Sequence, residues 1–173
     1  GYVPALEINP GLVLTEIVAV LPFLAQHDPK QDLIPPSGLG RAKVLEWLGF
    51  LNSEVHDAYA VFFARQLNDE EKQRGYAEID RLLEFVEKYL AEVDTDYLVD
   101  DNFGPADAYL FVLTNWSKLI GHDLSRFKEI NENQGMDYGD MILRKTAECI
   151  ASVIRPDQKL YRIVADEYAV VDF

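Results

Sequence analysis

Apolar residues recur along most of this chain at helical intervals, and only its two ends alternate in the manner of strands. The clearest helical run is 69–93, where Tyr76, Ile79, Leu82, Leu83, Val86, Tyr89, Leu90 and Val93 fall at three- and four-residue spacing. Residues 41–66 repeat that spacing with Val44, Leu45, Leu48, Leu51, Val55 and Ala58. The stretch 100–121, DDNFGPADAYLFVLTNWSKLIG, is apolar nearly all round, which predicts a buried central helix. Ahead of these, VPALEI and LVL are short apolar runs separated by Asn9-Pro10-Gly11, and together they predict a hairpin. Thr15 reads as the N-cap of a helix that follows, with Glu16 in its first turn and Pro22 bending it. Residues 28–40 are rich in Pro and Gly and carry no repeating apolar face, so they read as a linker. Residues 122–138 are polar and irregular. A helix resumes near Asp140 and must break or restart at Pro156, and EYAVVDF closes the chain with strand-like residues.

Composition adds exclusions. With 173 residues, 49% of them hydrophobic, the chain can bury a core of its own. Its formal charge of −14 leaves no basic surface to neutralise a nucleic-acid backbone. Lys and Arg are scattered, so an anionic membrane surface is no better a partner. Cys149 is the only cysteine, which rules out an internal disulfide and gives no sign of export. Glu16 interrupts the longest apolar candidate, 11–25, well short of the roughly 18 residues a membrane span needs. No charged-then-apolar leader opens the chain, and the expectation is a cytoplasmic protein.

Two positions near the start carry chemistry. If the Val3–Pro4 bond is cis, the backbone N–H and C=O of Val3 turn outward at a sheet edge, where an extended peptide could pair with them. A simple turn proline is the plainer alternative. Glu16 stands where a helix begins, and the open N–H groups and dipole of that end attract a carboxylate. A first-turn Glu that merely suits the dipole is the plainer reading there. His27 and His122 have no third ligand at metal spacing, so no metal site is expected.

VPAL followed by a hairpin and LTE, then RAKVLEWLGFLNSEVH (41–56) and NFGPADAYLF (102–111), resemble the glutathione transferases, most closely the bacterial beta class. The resemblance runs over about residues 1–130 and fades from 131 onward. It implies a mostly α fold: a partial thioredoxin-like α/β segment (1–28), a linker (29–40) and an all-helical C-terminal domain (41–173). It also implies glutathione as co-substrate, held along Val3, Pro4, Glu16 and Ile17, with Glu16 facing the γ-glutamyl ammonium. His56 falls where beta-class members often carry a histidine near the glutathione sulfur; an ordinary surface histidine is the alternative. Two positions depart from the family pattern. Ile17 stands where a Ser or Gly is usual, and Gly104 replaces the Ser or Thr that caps the core helix reciprocally with Asp107.

The family places a β-α-β unit, with its catalytic Ser, Cys or Tyr, ahead of the Val-Pro strand, and this sequence opens at Gly1. That leaves two expectations for 141–173. Either it is the family's closing helical stretch, with Cys149 buried in a helix, or it is the displaced β-α-β unit, with Cys149 at a helix N-terminus facing the cleft. The implied function is conjugation of the glutathione thiolate to small electrophiles by a homodimer. The alternative is a non-catalytic regulatory or scaffold protein on the same fold.

Overall fold

The computed structural model describes residues 3–30, 33–93, 95–132, 136–154, 158–164 and 167–172. A hairpin opens the chain: β1 (Ala5–Asn9) pairs antiparallel with β2 (Leu12–Thr15), and Gly11 turns between them at φ 79°. Helix α1 (Ile17–Ala25) follows, with Pro22 inside it. Thr15 ends β2 and Glu16 is the N-cap, one residue later than the pattern suggests.

The helical body begins at α2 (Gly38–Phe50) and continues without a break through a π-helical turn (Leu51–Val55) into α3 (His56–Ala64). Val44, Trp47, Leu48, Leu51, Val55 and Tyr59 form its buried stripe. Leu45, which the spacing placed with them, is 45% exposed. Helix α4 (Asp69–Glu92) buries Ile79, Leu82, Leu83, Val86 and Leu90. It starts on a capping box in which the Glu71 N–H donates to Asn68 Oδ1 at 2.9 Å and the Asn68 N–H donates to Glu71 Oε2 at 3.0 Å. Arg65 grips the same carboxylate through two bonds, at 2.7 and 3.1 Å, which fixes the loop between α3 and α4.

Helix α5 (Pro105–Ile120) is the central one, with Ala106, Tyr109, Leu110 and Leu113 in the core. Pro105 occupies its first turn and Gly121, at φ 73°, ends it in the left-handed conformation. Its N-terminus is capped from one side only. Asp107 accepts the Gly104 N–H and the Leu98 N–H, each at 2.8 Å, and Gly104 has no side chain to return the bond. A Cβ at Gly104 would meet the Leu33 carbonyl oxygen at 3.3 Å, so the linker's close approach favours glycine where the family carries Ser or Thr.

The 122–132 stretch is pinned along α4. His122 Nε2 lies 2.9 Å from Asp80 Oδ1, and Arg126 reaches Asp80 and Glu84, each at 3.2 Å. Glu87 receives the N–H groups of Glu129 and Ile130 at 3.0 and 3.1 Å. The short helix α6 (Lys128–Glu132) sits here, in a region the sequence reads as irregular. Helix α7 (Met136–Val153) packs on α1. Ser152 Oγ donates to the His27 carbonyl at 2.9 Å, and Lys145 Nζ lies 3.8 Å from the buried Asp28 carboxylate.

The chain then departs from the all-helical expectation. Strands β3 (Gln158–Val164) and β4 (Glu167–Asp172) form an antiparallel hairpin of their own, separate from β1–β2. The fold is still mostly α, but helix ends at Val153. Neither a closing helix nor a β-α-β unit joined to the first sheet is present at 158–172. The local reason is residue type: LYRIV and EYAVV are rich in β-branched and aromatic residues. The break expected at Pro156 lies outside the described residues. Among the described residues no helix is long and apolar enough to cross a membrane.

Candidate functional site

The opening hairpin brings the first group of candidate residues together. Ala5 pairs with Thr15, so Pro4 and Glu16 flank that pair at the open end of the ladder, with Val3 and Ile17 one residue further on. The Val3–Pro4 bond is cis and Val3 is 89% exposed. β1 is paired on one side only among the described residues, so its other edge presents backbone groups. Glu16 adopts φ 68° and ψ 125°, a conformation rare outside glycine, and such strained positions cluster at ligand clamps. Its carbonyl receives the Ala19 and Val20 N–H groups, each at 2.9 Å, while its side chain makes no cap bond. The first amides of α1 therefore have no side-chain cap, and this helix end is open to an anion. Ile17 packs its side chain against the helical core, which keeps its bulk away from that opening.

The second group lies on the helical body. His56 is the first residue of α3, immediately after the π-helical turn, and such turns are frequent at functional sites. Its Nδ1 is 3.5 Å from Asp57 Oδ1, the outer limit of a hydrogen bond, and its ring lies 5.3 Å from Trp116. Phe63 meets Trp116 edge-on at 5.4 Å, and Tyr59 does so at 6.1 Å. Beside them the Tyr109 hydroxyl donates to Asn52 Oδ1 at 3.2 Å. Burial, and secondarily the Asp57 charge, push that phenol up to about 12. Tyr59 also rises to about 12, chiefly through burial, and its hydroxyl shares a 2.6 Å hydrogen bond with Ser117 Oγ. Both phenols stay protonated at neutral pH. The surface is an aromatic wall with one imidazole on its edge.

Trp116, Phe63, Tyr109 and Asn52 were not singled out by the sequence pattern. The available signal was the polar Asn52 and the large aromatic Trp116 on otherwise apolar helices.

Cys149 lies near the end of α7, buried at 3% exposure, with its carbonyl accepting from Ser152 Oγ at 2.7 Å. It is not at a helix N-terminus, so the catalytic placement that a displaced unit would give it is corrected to a core position. His27 contacts the Phe23 carbonyl at 2.7 Å, and His122 stacks on Tyr76. Among the described residues no three His, Cys, Asp or Glu side chains converge on one point.

Against known proteins, the family model "Glutathione S-transferase, C-terminal domain" matches residues 50–132. The solved glutathione transferase of Methylococcus capsulatus superposes with a TM-score of 0.75 at 33% identity, over 88% of this chain and 74% of that one. The chain belongs to the glutathione S-transferase family. A bacterial beta-class glutathione S-transferase from Sphingomonas chungbukensis superposes with a TM-score of 0.73 at 30% identity, over 87% and 74% of the two chains. Glutathione S-transferase GstA of Escherichia coli O157:H7 is 31% identical over 131 residues. That alignment covers 75% of this chain and 64% of the relative's length.

The chain also carries a second similarity. The model "Diguanylate cyclase, GGDEF domain" matches residues 115–171, overlapping the transferase match through 115–132. The only Asp-Glu pair of that stretch, Asp166-Glu167, stands in Val-Ala-Asp-Glu-Tyr (164–168), and the model's name spells Gly-Gly-Asp-Glu-Phe. β3 ends at Val164 and β4 begins at Glu167, while Asp166 lies outside the described residues. The sequence reading missed this similarity, and the signal was the Asp-Glu pair inside RIVADEYAVV.

Proposed function

We propose that this protein binds glutathione along the Val3 edge and at the Glu16 helix start, and in its complete form conjugates it to small electrophiles. The observation that carries the reading is the Ala5–Thr15 register, which sets a cis-proline strand edge beside an uncapped helix N-terminus. The edge suits the backbone of an extended tripeptide, and the helix start suits a carboxylate. Glu16 supplies a negative charge for the ammonium group of the γ-glutamyl end. His56 is the group placed to stabilise the thiolate, with the Trp116 wall holding the electrophile. Sulfur then attacks the electrophilic carbon, the S–C bond forms, and the leaving group departs with its electron pair. Holding the two reactants together supplies most of the gain. The functional unit in this reading is a homodimer in the cytoplasm, with the segment 1–28, the linker 29–40 and the helical domain from 41 as its parts.

Immobilised glutathione should retain the protein, and Glu16→Ala should weaken retention about tenfold, the loss of one charge-assisted contact. Equal retention of the variant removes Glu16 from the site.

A second reading, a non-catalytic regulatory member of the fold, is favoured by the similarity of 115–171 to diguanylate cyclases. Turnover of an aryl halide with glutathione separates the two. Binding without turnover by the longest natural form supports the second.

A further inference from the structure

Away from the glutathione corner, a cavity of about 330 Å³ opens between the linker, α2, the 99–104 loop and the start of α5. That volume is at the lower end for small-molecule sites, which are mostly apolar with a few fixed polar groups. Its walls are apolar, with Leu33, Ile34, Val44 and Val99 among them. Its polar side chains are Asp100, Asn102 and Asp107, and among the described residues no Lys, Arg or His lines it. Arg41, nearby on α2, donates to the Pro35 carbonyl at 3.3 Å and is not part of the lining.

Two features distinguish this space from a packing gap. Asp107 is 5% exposed, yet it lines the cavity, and each of its oxygens is held in place by a backbone N–H. A carboxylate this buried and this fixed puts negative charge on the cavity wall, and a cation would offset the cost of its burial. Asp100, also in the lining, adopts φ 55°, a left-handed conformation uncommon outside glycine. Positions of this kind gather at ligand clamps. A bare metal ion is a poor fit, because the walls are apolar and no third acidic or imidazole ligand converges among the described residues.

We propose that this cavity binds a small organic ammonium ion, with a compact apolar body against Leu33, Ile34 and Val44 and its charged head between Asp100 and Asp107. The site is independent of the glutathione corner and does not rest on transferase activity.

The test is calorimetric titration of the full chain with benzylammonium, and with benzyl alcohol and benzoate as the neutral and anionic counterparts. Benzylammonium should bind at least about tenfold more tightly than benzyl alcohol, the value of one charge-assisted hydrogen bond, and benzoate should not bind. Asp100→Asn, a change at an exposed residue that leaves the α5 cap intact, should lower benzylammonium affinity by about the same factor. Asp101→Asn alters the same net charge outside the lining and should leave affinity unchanged. Equal binding of benzylammonium and benzyl alcohol would overturn the proposal. So would equal losses in the two variants, which would mean diffuse attraction to an acidic chain. Glutathione retention is read on the same samples, so failure there leaves this result standing.

Discussion

The bundle of α2–α5 and the β1–β2 hairpin that precedes it are built on opposite terms. In the bundle, Leu48, Leu51, Val55, Leu83 and Val86 are wholly buried, and side-chain hydrogen bonds join distant helices, as Tyr59 to Ser117 and Tyr109 to Asn52 do. In the hairpin, Val3, Leu12 and Val13 are 89%, 55% and 52% exposed. A two-stranded sheet alone is marginal in water. The contrast teaches where stability resides and, in the proposed function, where binding does. The bundle fixes the fold, while the hairpin holds backbone groups out where a peptide can reach them.

The largest effect that sharpens this contrast should come from the centre of α4. Leu83→Ala leaves a cavity in a close-packed interior and should cost about 2–5 kcal/mol, read from urea unfolding. A loss below about 1 kcal/mol would mean that the bundle collapses around the gap and is looser than its burial implies.

Next comes Asp107, where the bundle tolerates a buried carboxyl. Burial carries its pKa from 3.8 to about 6, against the opposing pull of three backbone N–H groups. The folded chain therefore holds that proton more tightly than the unfolded one. The resulting stability is fully present below pH 3.8 and is lost as pH rises through about 6. Wild type should lose roughly 2 kcal/mol relative to Asp107→Asn between pH 4 and pH 7. A difference that does not vary with pH would show that folding leaves this carboxyl's affinity for its proton unchanged.

The smallest effect belongs to the hairpin. Leu12→Ala should change unfolding stability by no more than about 0.5 kcal/mol, as expected for an exposed position. A loss of 2 kcal/mol or more, well beyond the roughly 0.5 kcal/mol of a surface change, would erase the distinction between the two regions.

These physical differences also account for what could be read in advance. The stripe of α4 was legible because its apolar spacing is helical, while the capping box Asn68–Glu71 that fixes its start was not read from the sequence. The π-helical turn was not, since inserting a residue into a helix turn leaves apolar periodicity on both sides intact. Leu45 misled for a related reason: spacing assigns a residue to a face, but only tertiary packing decides how wide the covered stripe is. At the candidate site, the Val-Pro and Glu16 positions were legible as local backbone features. The Trp116 wall depends on α3 meeting α5, a contact between residues far apart in the chain. The closing hairpin was obscured because Pro156 and the helix before it suit a restarted helix, while LYRIV and EYAVV carry the opposite preference.

The docking of α7 on α1 joins residues 125 positions apart, through Ser152 and the His27 carbonyl. While the chain is intact, α7 acts as a tethered ligand for α1, and tethering of this kind sustains effective concentrations of about millimolar. A single cut between α6 and α7 would turn that contact into an ordinary association, diluted to whatever concentration the sample provides. The helix capped at Glu16 would then keep its backing only when protein is abundant, so the glutathione affinity proposed for this corner would depend on concentration in the nicked protein although no residue near the peptide had changed.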